Sequence, residues 1–290
     1  MNKIFILAIM AIVLVSGCID NVLLATLQMN VIDSAVEEIS VIAEVPAFVR
    51  EGQTFFWSVE INPKIDMKNI SLQVYDKSPF FELSENQIDS WEISELKSNR
   101  TKIFQTSYVA SEVEFDQDIE IKFIAEYDAS TSLSEGYTIL DDFEYEDRYS
   151  KGTLNNIDHE STSEKSPVKV RMTFDKDRPF MNDTRVLMYV DYSYSATGII
   201  ESLPNSSVTI NIPSNLELLK CLDYRVEENE DGSYKLILDK EKTFLNKKSV
   251  QSTCEFQTAG STPIATGTIT ATANYHYTIT GDASIELRKR

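Results

Sequence analysis

The chain has 290 residues, with 46 Asp+Glu against 27 Lys+Arg, a net charge of −19 and two histidines. That balance excludes nucleic acid as a partner, because phosphate neutralisation needs Lys and Arg, and suits a solvated, self-repelling exterior. Few Gly and Pro and abundant Tyr, Phe, Val, Ile and Thr exclude low-complexity or collagen-like chains and favour strands.

Lys3 places one positive charge ahead of an almost unbroken apolar run, Ile4 to Val15, and small residues Ser16-Gly17 lead to Cys18. This is the order of a secretory signal. The run is shorter than the ~20 residues that cross a bilayer. The Val-Ser-Gly-Cys ending resembles the lipobox of prokaryotic lipoproteins. That resemblance implies cleavage before Cys18 and a lipid on its thiol, holding the chain to the outer face of the cytoplasmic membrane. Residues 1–17 are then the signal peptide and 18–37 a tether. Leu24, Leu27 and Val31 fit one face of a short helix, which is favoured over an extended tether carrying an early strand.

From residue 38 the pattern has period 2. Ile39, Val41 and Ala43 alternate up to Pro46. After the Glu51-Gly52 turn, Phe55, Trp57, Val59 and Ile61 alternate until Asn62-Pro63. Ile70, Leu72 and Val74 repeat the pattern, as do Ile119 to Tyr127, before a Ser/Thr-rich loop at 129–134. The acidic run Asp141, Asp142, Glu144, Glu146, Asp147 alternates with Phe143 and Tyr145. It lacks a calcium-loop pattern and reads as a strand with one solvated face. Residues 150–166 are polar and aperiodic, include His159, and read as a linker.

A second cycle follows over 167–290. Val168 to Phe174, Val186 to Tyr194 and Val208 to Ile212 alternate. Glu230-Asp231-Gly232-Ser233 marks a hairpin. Val250 to Phe256 makes another strand, and Thr266 to Tyr277 and Ser284 to Leu287 close the chain. Antiparallel strands without long helical patterns predict an all-β protein. The expected fold is two tandem Ig-like β-sandwiches, 38–149 and 167–290, after the lipoprotein signal.

"PAFVREGQTFFWSVEI" followed by "NISLQV", and "SSVTINIPSNLELLKC" followed by "KKSVQSTCEF" and "GTITATANYHYTITGDASIELRKR", carry a resemblance. The order is similar to archaeal cell-surface lipoproteins with tandem Ig/fibronectin-like or CARDB-like domains. The resemblance implies a fold and a surface location, and no catalytic residues.

With Cys18 lipidated, Cys221 and Cys254 remain as one pair. Export favours a disulfide between them; two buried free thiols are the alternative, and metal ligation lacks a nearby third ligand. Asn69, Asn99, Asn182 and Asn205 open Asn-X-Ser/Thr sequons, possible glycan sites in an exported chain. His276 reads as a locally hydrogen-bonded strand side chain. No serine-nucleophile, zinc or phosphate-loop motif stands out, so no catalytic, cofactor or metal residues are assigned and no cofactor is expected. The expected role is a non-enzymatic spacer, adhesion or envelope-assembly module with a protein or glycan partner. The alternative is a lipoprotein that captures a solute or carbohydrate in an aromatic-lined pocket.

Overall fold

The computed structural model describes residues 27–32, 39–157, 159–194, 198–249, 251–260 and 262–290. Cys18 and the expected signal peptide lie outside them. In chain order the first strands are β1 (Leu27–Ile32), β2 (Ile39–Pro46), β3 (Phe48–Arg50), β4 (Thr54–Pro63), β5 (Met67–Asp76), β6 (Phe81–Leu83), β7 (Ser90–Leu96), β8 (Lys102–Ala110) and β9 (Gln117–Leu140). Helix α1 (Asp142–Ser150) and a single 3-10 turn (Leu154–Asn156) come next. Then follow β10 (Ser161–Ser163), β11 (Val168–Phe174), β12 (Phe180–Met181), β13 (Arg185–Tyr194), β14 (Ser202–Leu203), β15 (Val208–Ile212) and β16 (Leu216–Cys221). The chain ends with β17 (Tyr224–Glu228), β18 (Tyr234–Leu238), β19 (Lys242–Leu245), β20 (Lys248–Ser249), β21 (Ser252–Thr258) and β22 (Ile264–Arg288).

The strands make several antiparallel sheets, consistent with β-sandwich domains. A five-stranded sheet runs β1-β2-β4-β8-β6, and a seven-stranded sheet runs β14-β19-β20-β13-β21-β16 with β11 beside β13. A ten-stranded sheet runs β17-β18-β15-β22-β9-β5-β7, with β10, β12 and β3 attached. Only β12 with β9 and β3 with β22 pair in parallel among the described strands.

The alternation read from the sequence sets which side chains enter the core. Phe55, Trp57, Val59 and Ile61 of β4 are all buried, as are Ile70, Leu72 and Val74 of β5. Trp57 stacks on Trp91 at 6.2 Å and meets Phe123 edge-on at 5.9 Å, arrangements that aromatic quadrupoles favour. Val186, Met188, Val190 and Tyr192 of β13 belong to the same continuous core as Phe256, Ile210 and Ala271. The Tyr192 hydroxyl meets that of Tyr224 at 2.5 Å. Burial pushes the Tyr192 phenol well above its ordinary value and that of Tyr224 to about 12.

The dominant element is the β9–β22 ladder. All 24 residues of β9 pair with β22, from Leu140↔Ile264 to Gln117↔Leu287. At ~3.4 Å per residue the 24-residue strand spans about 80 Å. One end of β22 lies beside β3, with Glu286 opposite Phe48, and the other end beside β15, with Ala273 opposite Val208. Early and late segments of the chain are therefore joined through one pair of strands. Gly267, opposite Tyr137, permits this: a Cβ there would fall on the Tyr137 ring.

Four expectations need correction. Residues 129–134 are not a loop but the middle of β9. Ala129, Thr131 and Leu133 keep the inward alternation, and Ser130, Ser132 and Ser134 point the other way. The acidic run is not a strand but helix α1. Asp141 caps it by accepting the Glu144 N–H at 2.7 Å, and Arg148 pairs with Glu144 one turn away at 2.6 Å. No residue of α1 is fully buried, and with Phe143 exposed and Tyr145 half-buried its Phe/Tyr alternation marks no sheet face. Residues 27–32, favoured as helix, form β1 antiparallel to β2. The stretch read as a linker adds β10 to β9, and its Ser166 is buried.

Among the described residues no helix is long and apolar enough to cross a membrane.

Candidate functional site

Period-2 alternation that buries Tyr127, Ala129, Tyr275 and Tyr277 sends Asp128, Ser130, Asn274 and His276 to the opposite face of the ladder. Register then sets Asp128 directly across from His276 and Ser130 across from Asn274. His276 Nδ1 lies 2.8 Å from Asp128 Oδ1. The other carboxylate oxygen accepts from Asn69 Nδ2, also at 2.8 Å. Asn69 sits at φ +48°, where the register of β5 against β9 shifts between Lys68 and Ser71. That irregularity turns the amide towards β9.

Asp128, Ser130, Asn274 and His276 floor a groove of about 500 Å³. One wall is Asp66, Lys68, Glu95 and Lys97 from the β5–β7 end; the other is Pro204 and Ser207 from the turn before β15. Lys97 Nζ bridges Glu95 at 2.5 Å and Asp66 at 3.0 Å, and the Ser98 N–H donates to Asp66 at 2.9 Å. The Ser98 backbone bond and then Lys97 hold the Asp66 carboxyl below its ordinary value. Hydrogen bonds to Glu95 and Asp66 raise Lys97. For Asp128, burial works upwards, but the donors Asn69 and His276 outweigh it and the net shift is downward.

The groove thus presents three carboxylates, two lysines and an imidazole; Lys97 is paired with Asp66 and Glu95, and His276 with Asp128. It offers both hydrogen-bond donors and acceptors. Tyr275 also lines it, but is 3% exposed and its hydroxyl is engaged with Ser166 at 2.7 Å, so no ring face is offered for stacking. Ser207 Oγ is buried with no hydrogen-bond partner among the described residues. A second depression of about 690 Å³ lies beside exposed Phe115, lined by Glu51, Glu112, Glu114 and Lys289.

Cys221 and Cys254 are bonded. They stand directly opposite in β16 and β21, which explains how residues 33 apart meet. Trp57 is buried in the core and Trp91, half-buried, packs against it. Asn69, Asn99 and Asn205 are exposed; Asn182 is half-buried and its side-chain oxygen accepts from the Gly260 N–H at 2.6 Å. His276 is an exposed strand side chain, but its partner is 148 residues away rather than local. Asp66, Lys68, Lys97, Asp128 and Asn274 carry no local motif, and sequence reading missed them. The one available signal was polar residues alternating with Ala and Tyr in both long strands.

No family model matches the chain, and none of the curated proteins is similar to it. Among solved structures, the Fcho1 Mu homology domain of Danio rerio with bound Eps15 peptide is 10% identical, with 87% of this chain and 92% of that one covered and a TM-score of 0.24. The C-terminal globular domain of oligosaccharyltransferase from Pyrococcus abyssi is 10% identical over 84% of this chain and 46% of that one, TM-score 0.23. A chitinase from Bacillus thuringiensis is 6% identical over 78% and 28%, TM-score 0.20. Likenesses this slight carry no argument about function.

Proposed function

We propose that the chain is a lipid-anchored extracytoplasmic surface protein that acts without catalysis as a stiff spacer or adhesion module in envelope assembly, as in the archaeal lipoproteins that its sequence resembles. Two Ig-like sandwiches, early and late in the chain, are welded by the shared strands. The observation that carries this is the uninterrupted pairing of β9 with β22 through both sets of strands. Tandem sandwiches on a flexible linker reorient freely, whereas a ladder about 80 Å long transmits position from one end to the other. The Cys221–Cys254 bond supports an oxidising compartment outside the cytoplasm. The lipid on Cys18 supplies the anchor.

The test is Cys18→Ala with fractionation of intact cells. The variant is expected in the medium or wash, and unchanged retention on membranes would overturn the anchor. A second reading, capture of a polar ligand, is favoured by the groove around Asp128 and His276. It predicts chemical-shift or stability changes on addition of short oligosaccharides, lost in His276→Ala.

A further inference from the structure

The four sequons are far apart in sequence, yet three of them adjoin, in the chain or through a hydrogen bond, residues that line the groove. Asn69 donates to Asp128 in the groove floor. Asn99 follows Lys97 and Ser98, which hold Asp66 in one wall. Asn205 lies in the chain between Pro204 and Ser207, which line the other wall. The fourth, Asn182, is held at Gly260 instead.

The side chains sort these sequons further. Asn69 and Asn182 are both committed to hydrogen bonds of the fold, one by its nitrogen and one by its oxygen. Asn99-Arg100-Thr101 is exposed throughout, on a turn where Asn99 adopts φ +59° and its N–H caps Pro63 O at 2.6 Å. Asn205 and Ser206 project from a turn closed by the Ser207 N–H to Pro204 O at 3.1 Å. A bulky, hydrophilic substituent on either projecting amide displaces no contact of the fold.

We propose that Asn99 and Asn205, which follow the groove residues Lys97 and Pro204 in the chain, carry N-linked glycans, that Asn69 and Asn182 stay bare, and that the polar groove lies beneath a sugar-covered face. This rests on the reading that the chain is exported. In the transfer, the amide nitrogen attacks the anomeric carbon of an oligosaccharide linked to a lipid diphosphate. The C–N bond forms, the C–O bond to the diphosphate breaks, the diphosphate leaves with the electron pair, and the nitrogen gives up one of its two protons. The groove's carboxylates, amides and hydroxyls then face sugar hydroxyls, a match of donors and acceptors that needs no net charge.

The experiment is glycopeptide mass spectrometry on the full chain, solubilised from the surface fraction of the cells that make it. The expected result is glycan mass on the peptides containing Asn99 and Asn205, unmodified Asn69 and Asn182, and loss of one glycan's mass in each of Asn99→Gln and Asn205→Gln. A surface-exposed chain with both Asn99 and Asn205 bare, or with glycan on Asn69 or Asn182, overturns the proposal alone. A chain found in the cytosol without glycan overturns the export reading along with it.

Discussion

His276 and Asp128 face each other near the middle of the β9–β22 ladder, Nδ1 to Oδ1 at 2.8 Å. The pair spans the place where the strands that neighbour the ladder change from β5 on one side to β15 on the other. Asn69 completes it from β5. A polar cluster at that point joins segments from three parts of the chain without entering the core.

The cluster has a signed pH dependence. The folded carboxyl of Asp128 titrates below its ordinary value of 3.8. Its contribution is therefore complete above that value and lost as pH falls through the folded one. The side chains are 57% and 44% exposed, so the pair contributes at most about 1 kcal/mol. Thermal unfolding of wild type and Asp128→Asn between pH 6 and 2 measures it. The wild type should lose more stability than the variant below about pH 4, and parallel curves would refute the assignment.

The shared ladder predicts a single unfolding transition. Both tryptophans, Trp57 and Trp91, report on the early strands, whereas far-UV circular dichroism reports on every sheet. Because β9 and β22 run through both regions, neither can unfold without unpairing the other. Fluorescence and dichroism should give coincident midpoints in urea. Two separated midpoints would mean that the ladder breaks in its middle.

Lys242 is 5% exposed, and its ammonium lies 2.6 Å from Asp223, which Ser252 also approaches at 3.3 Å. The hydrogen bond from Lys242 dominates in holding the Asp223 carboxyl below its ordinary value, against the opposing effect of burial. Asp223→Asn strands a buried charge and should cost about 3 kcal/mol, whereas Lys242→Met leaves an Asp223 that is 24% exposed and 3.7 Å from Lys240 and should cost less. Denaturant midpoints separate the two. Equal losses would show that packing rather than charge governs the site.

The Cys221–Cys254 bond closes a sequence separation of 33. On the chain-entropy model its removal costs about 3–4 kcal/mol. Cys254 is fully buried and Cys221 half-exposed, so Cys254→Ser should destabilise more than Cys221→Ser. Urea unfolding of both variants, with a reduced wild-type control, checks the order. Mass spectrometry without reductant should show the cross-linked peptide.

Much of this was legible along the chain. Phe55-Trp57-Val59-Ile61 and Val186-Met188-Val190-Tyr192 announced buried strand faces because alternation is a local consequence of the pleat. Where a segment buries nothing, the same logic misleads: α1 has a cap and an internal ion pair that could have marked it, but its aromatics suggested a strand. Ser130, Ser132 and Ser134 suggested a loop because composition was weighed over the inward Ala129, Thr131 and Leu133. The groove was illegible, since Asp128 and His276 become neighbours only through a register 148 residues wide.

The sequence by itself determined an all-β chain, the positions of most strands, one usable cysteine pair and an acidic, polar exterior. These follow from local alternation, composition and residue chemistry. Only the tertiary structure decided that β9 and β22 form one ladder from end to end, that Cys221 meets Cys254 face to face, and that Asp66, Lys97, Asp128, Pro204 and His276 line one groove. Strand pairing is chosen by burial of whole faces at once, and no short stretch of the chain encodes it.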